Sequence, residues 1–247
     1  MNSDSPNSNQ ELRVYRAKEP IRAYNTPICQ YMRLDYLFRL LETQKYYVNR
    51  KRLFWDNREK DYPEKLKYTV EYYPGDGIKT PPLNNKDELS NNIRLYKEKS
   101  FLLTSCWTLN MTENVLMWER GTDFKACIRS TIGQFIGAFR NLELYIWCGD
   151  IEYKTFNQIN TWEDKLWYKQ PFFIGEDEFR FYFSKKLDAI EVDDHDPCKP
   201  CLFDINPNDM INEIVLDPRI DRVAATKFKD TIQQKYGIYT MRSLIDY

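Results

Sequence analysis

Residues 125–151, KACIRSTIGQFIGAFRNLELYIWCGDI, place a strand, a helix and a second strand in one short run, and they predict the centre of the fold. The pattern from Lys125 to Ile128 is that of a buried strand. Thr131 belongs to the residue types that cap helix N-termini, so we expect a helix that runs from there to Phe139. Leu142 to Ile151 is strongly apolar again, and we place its first part, Leu142 to Trp147, in the core.

The rest of the chain mixes strands and helices without regular alternation. Leu12-Arg13-Val14-Tyr15-Arg16 alternates apolar and basic residues, as half-buried strands do. This mixture predicts an α+β fold over residues 11–247, a single domain with a mixed, mostly antiparallel sheet core and peripheral helices. We expect the polar residues 1–10 to form a disordered leader. Further strands are predicted at 45–49, 101–107, 179–183 and 211–216, and helices at 32–41, 64–73, 87–96 and 223–234, the last ended by Gly237.

The composition limits the classes of function. The 247 residues include 36 Lys plus Arg and 37 Asp plus Glu, so the net charge of −1 restricts any nucleic-acid contact to a local surface. The 18 Tyr, 14 Phe and 6 Trp supply enough apolar surface for a globular fold. Only 8 glycines are present, and neither common glycine-rich phosphate-binding motif occurs. His195 is the only histidine, which excludes three-histidine metal sites.

The termini and cysteines bear on location. Residues 1–10 lack the apolar segment of a secretory signal, and no run of 18 apolar residues occurs that could span a membrane. The six cysteines are scattered through a mid-sized chain, which is typical of reduced thiols in a cytoplasmic protein.

His195, Cys198 and Cys201 form the most visible motif. Two thiolates and an imidazole can supply three of the four ligands of a structural zinc ion, but no fourth ligand is evident. A deaminase would need an upstream His-x-Glu or Cys-x-Glu, which is missing. A plain loop is the interpretation we favour, with a structural metal and a redox pair as alternatives, so no metal is expected.

The basic charge is concentrated in residues 45–60, which contain six basic side chains and only two acidic ones. This segment is either a solvated surface or the basic rim of a site for a phosphate-bearing ligand. The six are Lys45, Arg50, Lys51, Arg52, Arg58 and Lys60.

Three distant stretches carry candidate chemistry. Arg16 closes the first strand, Arg129-Ser130-Thr131 ends a central one, and Glu176-Asp177-Glu178 opens a late one. Carboxylates at i and i+2 of an extended segment point the same way, so both can face one cleft. Arginine is the natural bidentate ligand of a pyrophosphate.

The order of these stretches resembles the Arg-Ser-Glu class of ADP-ribosyltransferases. The resemblance implies an ADP-ribosyltransferase-like fold with NAD as the substrate. Cleavage of the nicotinamide–ribose bond creates an oxocarbenium-like centre that a fixed carboxylate stabilises. In this scheme Arg16 grips the NAD phosphates, Ser130 and Thr131 brace the site, Glu178 bonds a ribose hydroxyl, Glu176 orients the nucleophile, and Tyr15, Trp107 or Trp118 stacks on nicotinamide.

The chain also resembles a bacterial family catalogued only as a domain of unknown function (family 2971), nearly end to end. Members resemble proteins of mobile and antiviral loci. The motifs that carry this likeness include Val14-Tyr15-Arg16, Ser105-Cys106-Trp107, Leu116-Met117-Trp118, the block from Lys169 through Glu176-Asp177-Glu178-Phe179-Arg180, and the segment 211–216.

The two resemblances imply a toxin or antiviral defence effector that transfers ADP-ribose to a protein or nucleic-acid acceptor, with a partner protein such as an antitoxin or complex subunit. The alternative is a non-catalytic module of a defence system that binds a nucleotide, nucleic acid or protein. Nuclease chemistry through Mg²⁺ ranks last. Each residue also has a structural alternative: Arg16 in an ion pair, Ser130 as a helix cap, Glu178 and Arg180 as a pair on one strand face, and Trp107 and Trp118 in the core.

Overall fold

The computed structural model describes residues 13–16, 22–50, 70–72, 103–140, 142, 144–155, 167–185 and 201–245. The structure also contains one 3₁₀ helix among the described residues, at Pro171–Glu176. The strands are β1 (Arg13–Arg16), β2 (Pro27–Arg33), β3 (Lys45–Arg50), β4 (Val70–Tyr72), β5 (Leu103–Thr108), β6 (Lys125–Thr131), β7 (Leu144–Asp150), β8 (Glu152–Tyr153), β9 (Tyr168–Lys169), β10 (Glu178–Lys185), β11 (Cys201–Asp204), β12 (Glu213–Leu216) and β13 (Tyr239–Arg242), and the helices are α1 (Leu34–Thr43), α2 (Val115–Glu119), α3 (Ile132–Gly137), α4 (Pro207–Met210) and α5 (Arg222–Tyr236).

Most of the described strands form one sheet, in the order β13-β12-β6-β2-β5-β10-β7-β1-β4. Its neighbours are antiparallel except for the parallel pairs β12–β13 and β1–β7. Strand β3 joins this sheet through β5 and carries β11 on its other edge, while β8 and β9 form a separate parallel pair. The architecture is therefore α+β with a mostly antiparallel sheet.

One face of the sheet packs on an aromatic core. In β10, Phe181 and Phe183 point to this face because successive strand residues alternate in direction. Helix α3 lies against them, with the Phe135 ring centroid 4.3 Å from that of Phe181 and the Phe139 centroid 5.0 Å from that of Phe183. The predicted core run 125–151 supplies this helix and both strands that flank it in sequence.

Helices α1 and α5 cover the same apolar face. Phe38 of α1 and Phe228 of α5 pack with their ring centroids 5.4 Å apart. Asp221 caps the N-terminus of α5 by accepting hydrogen bonds from two main-chain N–H groups, and Gly237 ends the helix in the left-handed conformation with φ 71°. The prediction that Gly237 terminates the last helix is confirmed.

Several other predicted elements are confirmed, and some are wrong. The strands expected in 12–16, 45–49, 101–107, 179–183 and 211–216 are present with shifted ends. Residues 32–33 belong to strand β2, which the sequence pattern missed, and the helix begins at Leu34. Residues 70–72 form strand β4, so the helix predicted over 64–73 is wrong there. The segments 1–10 and 87–96 lie outside the described residues. In the described ranges, no helix has the length and apolarity needed to cross a membrane.

Candidate functional site

The large sheet divides at β5, and the candidate site is the pocket at this division, which we call the fork pocket. One end of β5 pairs with β2 through Thr108 and Cys29. The other end pairs with Asn49 and Arg50 of β3. Between these contacts no ladder partner borders this edge of β5 among the described residues, so β2 and β3 diverge. The pocket has a volume of about 790 Å³, within the range of small-molecule sites.

Polar side chains hold the two arms of the fork in place. Gln30 Nε2 donates to the main-chain carbonyl of Cys106 at 2.9 Å, as a strand neighbour would. The Tyr46 hydroxyl lies 2.9 Å from Gln30 Oε1 and 2.7 Å from Ser105 Oγ, which also accepts from Trp107 Nε1 at 2.9 Å. Burial raises the pKa of Tyr46, so its hydroxyl stays protonated. The inner end of the pocket is therefore a neutral, hydrogen-bonded cluster.

The face of β10 opposite the aromatic core lines the fork pocket. The register places Glu178 opposite Thr108 and Arg180 opposite Cys106. Directly opposed residues of antiparallel strands share one face, and all four of these side chains line the pocket.

Glu178 lies in a buried network of ion pairs. Its carboxylate accepts from Nε and Nη2 of Arg180, and Glu178 and Arg180 are 3% and 0% exposed. Lys169 Nζ lies 2.9 Å from Glu178 Oε2 and 2.7 Å from Glu176 Oε2. Arg120 Nη1 extends the network to the surface by pairing with Glu176 Oε1 at 3.1 Å. Both acids of the predicted motif therefore meet at one ammonium group.

The network fixes the protonation states of its inner members. Burial alone would raise the pKa of Glu178, but Arg180 and Lys169 outweigh it and hold that pKa at about 2. Burial lowers the pKa of Lys169, but Glu178 and Glu176 reverse this and raise it. Burial, assisted by the charge of Glu178, raises the pKa of Cys106 well above its usual value. At neutral pH the site thus holds an ionised carboxylate and a protonated thiol, and Glu178 is a weak proton acceptor.

Basic side chains outnumber acidic ones around the fork pocket. Its lining contains seven basic side chains against two acidic ones, which favours an anionic ligand. The acids are Glu176 and Glu178, and the bases are Arg33, Arg39, Lys45, Arg120, Lys125, Lys169 and Arg180.

Two partly exposed tyrosines form an aromatic wall of the pocket. Tyr36 of α1 and Tyr47 of β3 stack with their centroids 5.9 Å apart and their planes 12° apart, and they are 40% and 41% exposed. The Arg33 guanidinium lies 5.0 Å from the Tyr36 ring centroid. Rings presented in this way can stack on a planar ligand group.

Ser130 and Thr131 support the fold at the end of β6. Ser130 is buried and donates to the main-chain carbonyl of Met210 at 2.5 Å. Thr131 caps α3, because its Oγ1 accepts from the main-chain N–H of Gln134 at 3.2 Å while Gln134 Oε1 accepts from Thr131 N–H. Neither residue lines the fork pocket.

Tyr15 and Arg16 lie on β1, where Arg16 is paired with Cys148 of the parallel strand β7. Five strand spacings separate β1 from β6 in the sheet, about 24 Å at about 4.8 Å per strand. Glu178 lies between them, two strands from β1 and three from β6. The structure therefore does not bring the backbones of Arg16 and Ser130 together.

The remaining predicted residues divide between pocket and core. Trp107 lines the pocket although it is 2% exposed, whereas Trp118 is fully buried and packs edge-on against Tyr31 with centroids 4.7 Å apart. The expectation that Glu176 and Glu178 share an extended segment is wrong. Glu176 ends the 3₁₀ helix, and Asp177 adopts a left-handed conformation with φ 42°. This turn, rather than strand alternation, directs both acids to Lys169.

The cysteine motif and the basic segment are described only in part. His195, Cys198 and residues 51–60 lie outside the described residues. Cys201 is buried in β11, where it lies opposite Val48. Lys45 lines the pocket and pairs with Asp204 at 2.7 Å. Across the part of the chain that the structure describes, no group of three or more His, Cys, Asp or Glu side chains is arranged to hold a metal ion.

Sequence reasoning missed most of the cations of the pocket. Lys125 looked like the first residue of a core strand, and Arg33 like part of a helix. A usable signal was polar residues inside apolar strands, such as Arg180 between Phe179 and Phe181. A buried strand keeps such a residue only where the fold supplies a polar partner or a ligand does.

Comparisons of the chain with family models, with curated proteins and with solved structures found no match. The candidate site is therefore defined by the geometry and chemistry of this chain.

Proposed function

We propose that the protein binds a nucleotide-type ligand, a phosphate-bearing molecule with a planar ring, in the fork pocket. The observation that carries the proposal is a pocket of about 790 Å³ that combines an excess of basic side chains with the stacked pair Tyr36 and Tyr47. The cations favour the phosphates, and the rings favour the base. This is the binding-module alternative of the sequence interpretation.

The two acids of the pocket favour a binding function over proton-transfer chemistry, because both are held in ion pairs. Glu178 is held by Arg180 and Lys169, and Glu176 by Lys169 and Arg120. A general base must accept a proton near the operating pH, which a carboxylate with a pKa of about 2 does poorly.

NAD cleavage in the manner of an ADP-ribosyltransferase is the second candidate. It is supported by the presence of Glu176, Glu178 and Trp107 in the lining of the same pocket. A permanently ionised carboxylate is suited to stabilise an oxocarbenium-like centre, which needs a fixed charge and not a base. On this proposal the α+β fold is ADP-ribosyltransferase-like, and the protein acts as a toxin or antiviral defence effector.

Calorimetric titration with ADP, GDP, CDP, UDP, NAD and the matching nucleosides tests the first candidate. We expect phosphate-bearing ligands to bind more tightly than their nucleosides, and more weakly at 0.5 M than at 0.05 M salt, because ions screen the basic lining. Arg39→Ala should weaken binding, while Lys229→Ala on the exposed side of α5 serves as the matched control. Failure of all these nucleotides to bind at millimolar concentration would refute the proposal.

Release of nicotinamide from NAD, measured by chromatography, tests the second candidate. We expect release by the wild type and its loss in Glu178→Gln. Glu176→Gln should mainly impair transfer to an acceptor. Thermal unfolding of each variant separates loss of chemistry from loss of fold. If NAD binds but is not cleaved, even when a bacterial lysate supplies possible acceptors, the NAD-cleavage proposal is refuted and only the binding proposal remains.

A further inference from the structure

Two buried polar groups in the lining of the fork pocket have hydrogen-bonding capacity that the described residues do not use. One is the hydroxyl of Thr104 on β5, and the other is the ammonium group of Lys125 on β6. The two residues belong to different strands on opposite sides of the fork.

Thr104 Oγ1 is buried and has no hydrogen-bond partner among the described residues, and the residue as a whole is 2% exposed. The register places Thr104 opposite Tyr182 on one side and Asn49 on the other, where β5 has left β2. Native proteins rarely keep a buried hydroxyl unpaired, because the group has lost water without gaining another partner. Its position in a pocket lining points to a partner that the ligand supplies.

Lys125 is a buried cation that forms no ion pair with a carboxylate of the described residues. The residue is 8% exposed, and its Nζ donates to the main-chain carbonyls of Met117 and Trp118, each at 2.8 Å. An ammonium group has three donors, so one remains. Among the described residues no carboxylate lies within ion-pair distance of Nζ. The nearby Asp217 accepts from the main-chain N–H of Lys125 and pairs with Arg219.

The other cations at this end of the pocket are already neutralised. Arg33 lies opposite Lys125 in the β2–β6 ladder and pairs with Asp35, and Arg120 pairs with Glu176. Burial lowers the pKa of Lys125, and the charges of Arg219 and Arg120 add to this effect, while those of Asp217 and Asp123 oppose it. An anion bound at Lys125 would supply the direct ion pair that no carboxylate of the described residues makes with this ammonium group.

Thr104 and Lys125 are too far apart to serve one small ion. Strand β2 lies between β5 and β6, so their backbones are at least two strand spacings apart, about 10 Å, and the fork increases this distance. A ligand that satisfies both groups has an anionic end and, at a distance, a neutral hydrogen-bonding end.

We propose that Lys125 binds the phosphate of the ligand and that the Thr104 hydroxyl hydrogen bonds to its uncharged part, the base or the ribose. This inference rests on the proposed nucleotide-binding function and adds the orientation of the ligand: the phosphate lies at the α2 end, near Met117, and the nucleoside lies across the fork.

Titration calorimetry with three probes tests the orientation: inorganic pyrophosphate, the tightest-binding nucleoside diphosphate of the panel above, and its nucleoside. Lys125→Met keeps the apolar stem and removes the charge, so we expect at least tenfold weaker binding of pyrophosphate and of the diphosphate, and an unchanged nucleoside affinity. Lys125→Arg should restore part of the loss. Thr104→Val should weaken the nucleoside and the diphosphate about five- to tenfold and leave pyrophosphate unchanged. Lys229→Met and Thr226→Val on α5 are the matched controls.

The outcomes separate this inference from the function on which it rests. Nucleotide binding that is indifferent to Lys125→Met and Thr104→Val overturns the orientation and leaves the proposed function standing. Pyrophosphate binding that depends on Lys125, without binding of any nucleotide, supports the anion site and refutes the function. An equal loss for all three probes in both variants, or no binding of any probe to the wild type, overturns the orientation.

Discussion

Arg180 and Glu178 lie two residues apart on β10 and pair with each other on the face opposite the aromatic core, both almost completely inaccessible to solvent. Strand alternation places them on one face, and the phenylalanines between and beyond them on the other. A charge pair in this position is maintained because each ion would be severely destabilised alone.

Glu178→Gln should therefore be strongly destabilising, because it leaves Arg180 buried without its counter-ion. We expect the free energy of unfolding in urea to fall by about 3–5 kcal/mol. Glu176→Gln is the matched control, since Glu176 pairs partly with the exposed Arg120 and should cost about 1 kcal/mol. If the two substitutions lowered the free energy of unfolding equally, the conclusion that Glu178 is the more buried of the two acids would be contradicted.

The same pair predicts acid sensitivity. The folded-state pKa of Glu178 is about 2, below the ordinary value of 4.5, so the unfolded chain binds more protons between these values and stability rises with pH. The pair's contribution, about 3 kcal/mol, is present above about pH 5 and is lost as the pH falls to 2. Asp217, whose pKa is also lowered, acts in the same direction.

Urea unfolding between pH 2 and pH 7 measures how the free energy of unfolding depends on pH. The slope of this free energy against pH should be smaller in Glu178→Gln, which has no carboxyl group to titrate at that position. A variant with the full wild-type slope would show that other acids cause the acid sensitivity.

Gly237→Ala should destabilise the protein by about 1 kcal/mol, because the residue has φ 71°, a conformation that alanine adopts at a cost. Gly137→Ala, at the end of α3, is the control: the added methyl group meets nothing within 4 Å, and we expect no loss or a small gain. Thermal unfolding of both variants measures the difference, and a neutral Gly237→Ala would disprove the conformational argument.

Tyr36→Ala should weaken nucleotide binding about tenfold by calorimetry, since stacking of a base on an aromatic side chain is worth about 1–3 kcal/mol. Tyr239→Ala removes a comparably exposed ring, 54% accessible, from β13, which does not line the pocket. Similar affinities for the two variants would show that the aromatic wall is not part of the ligand site.

Local patterns predicted many elements of the fold correctly, because their causes are local. The cap at Thr131, the terminator Gly237 and the phenylalanine alternation of β10 each depend on residues a few positions apart. Strand β2 was missed because it runs directly into α1, so the helical spacing of its last residues concealed the boundary at Arg33. The helix predicted over 64–73 failed at 70–72, where pairing with β1 decides the conformation.

The candidate site, like the fold, was predictable only where its causes are local in the sequence. The sequence alone determined that Glu176, Glu178 and Arg180 are close neighbours, and that β10 has one apolar and one polar face. Only the tertiary structure decided that Lys169 joins the two acids, that Ser130 bonds to Met210 away from the pocket, and that β2 and β3 separate to open a cavity beside Lys125 and Thr104. Residue spacing specifies direction along one strand, whereas a pocket depends on which strands become neighbours, and that order is set by the packing of the whole sheet.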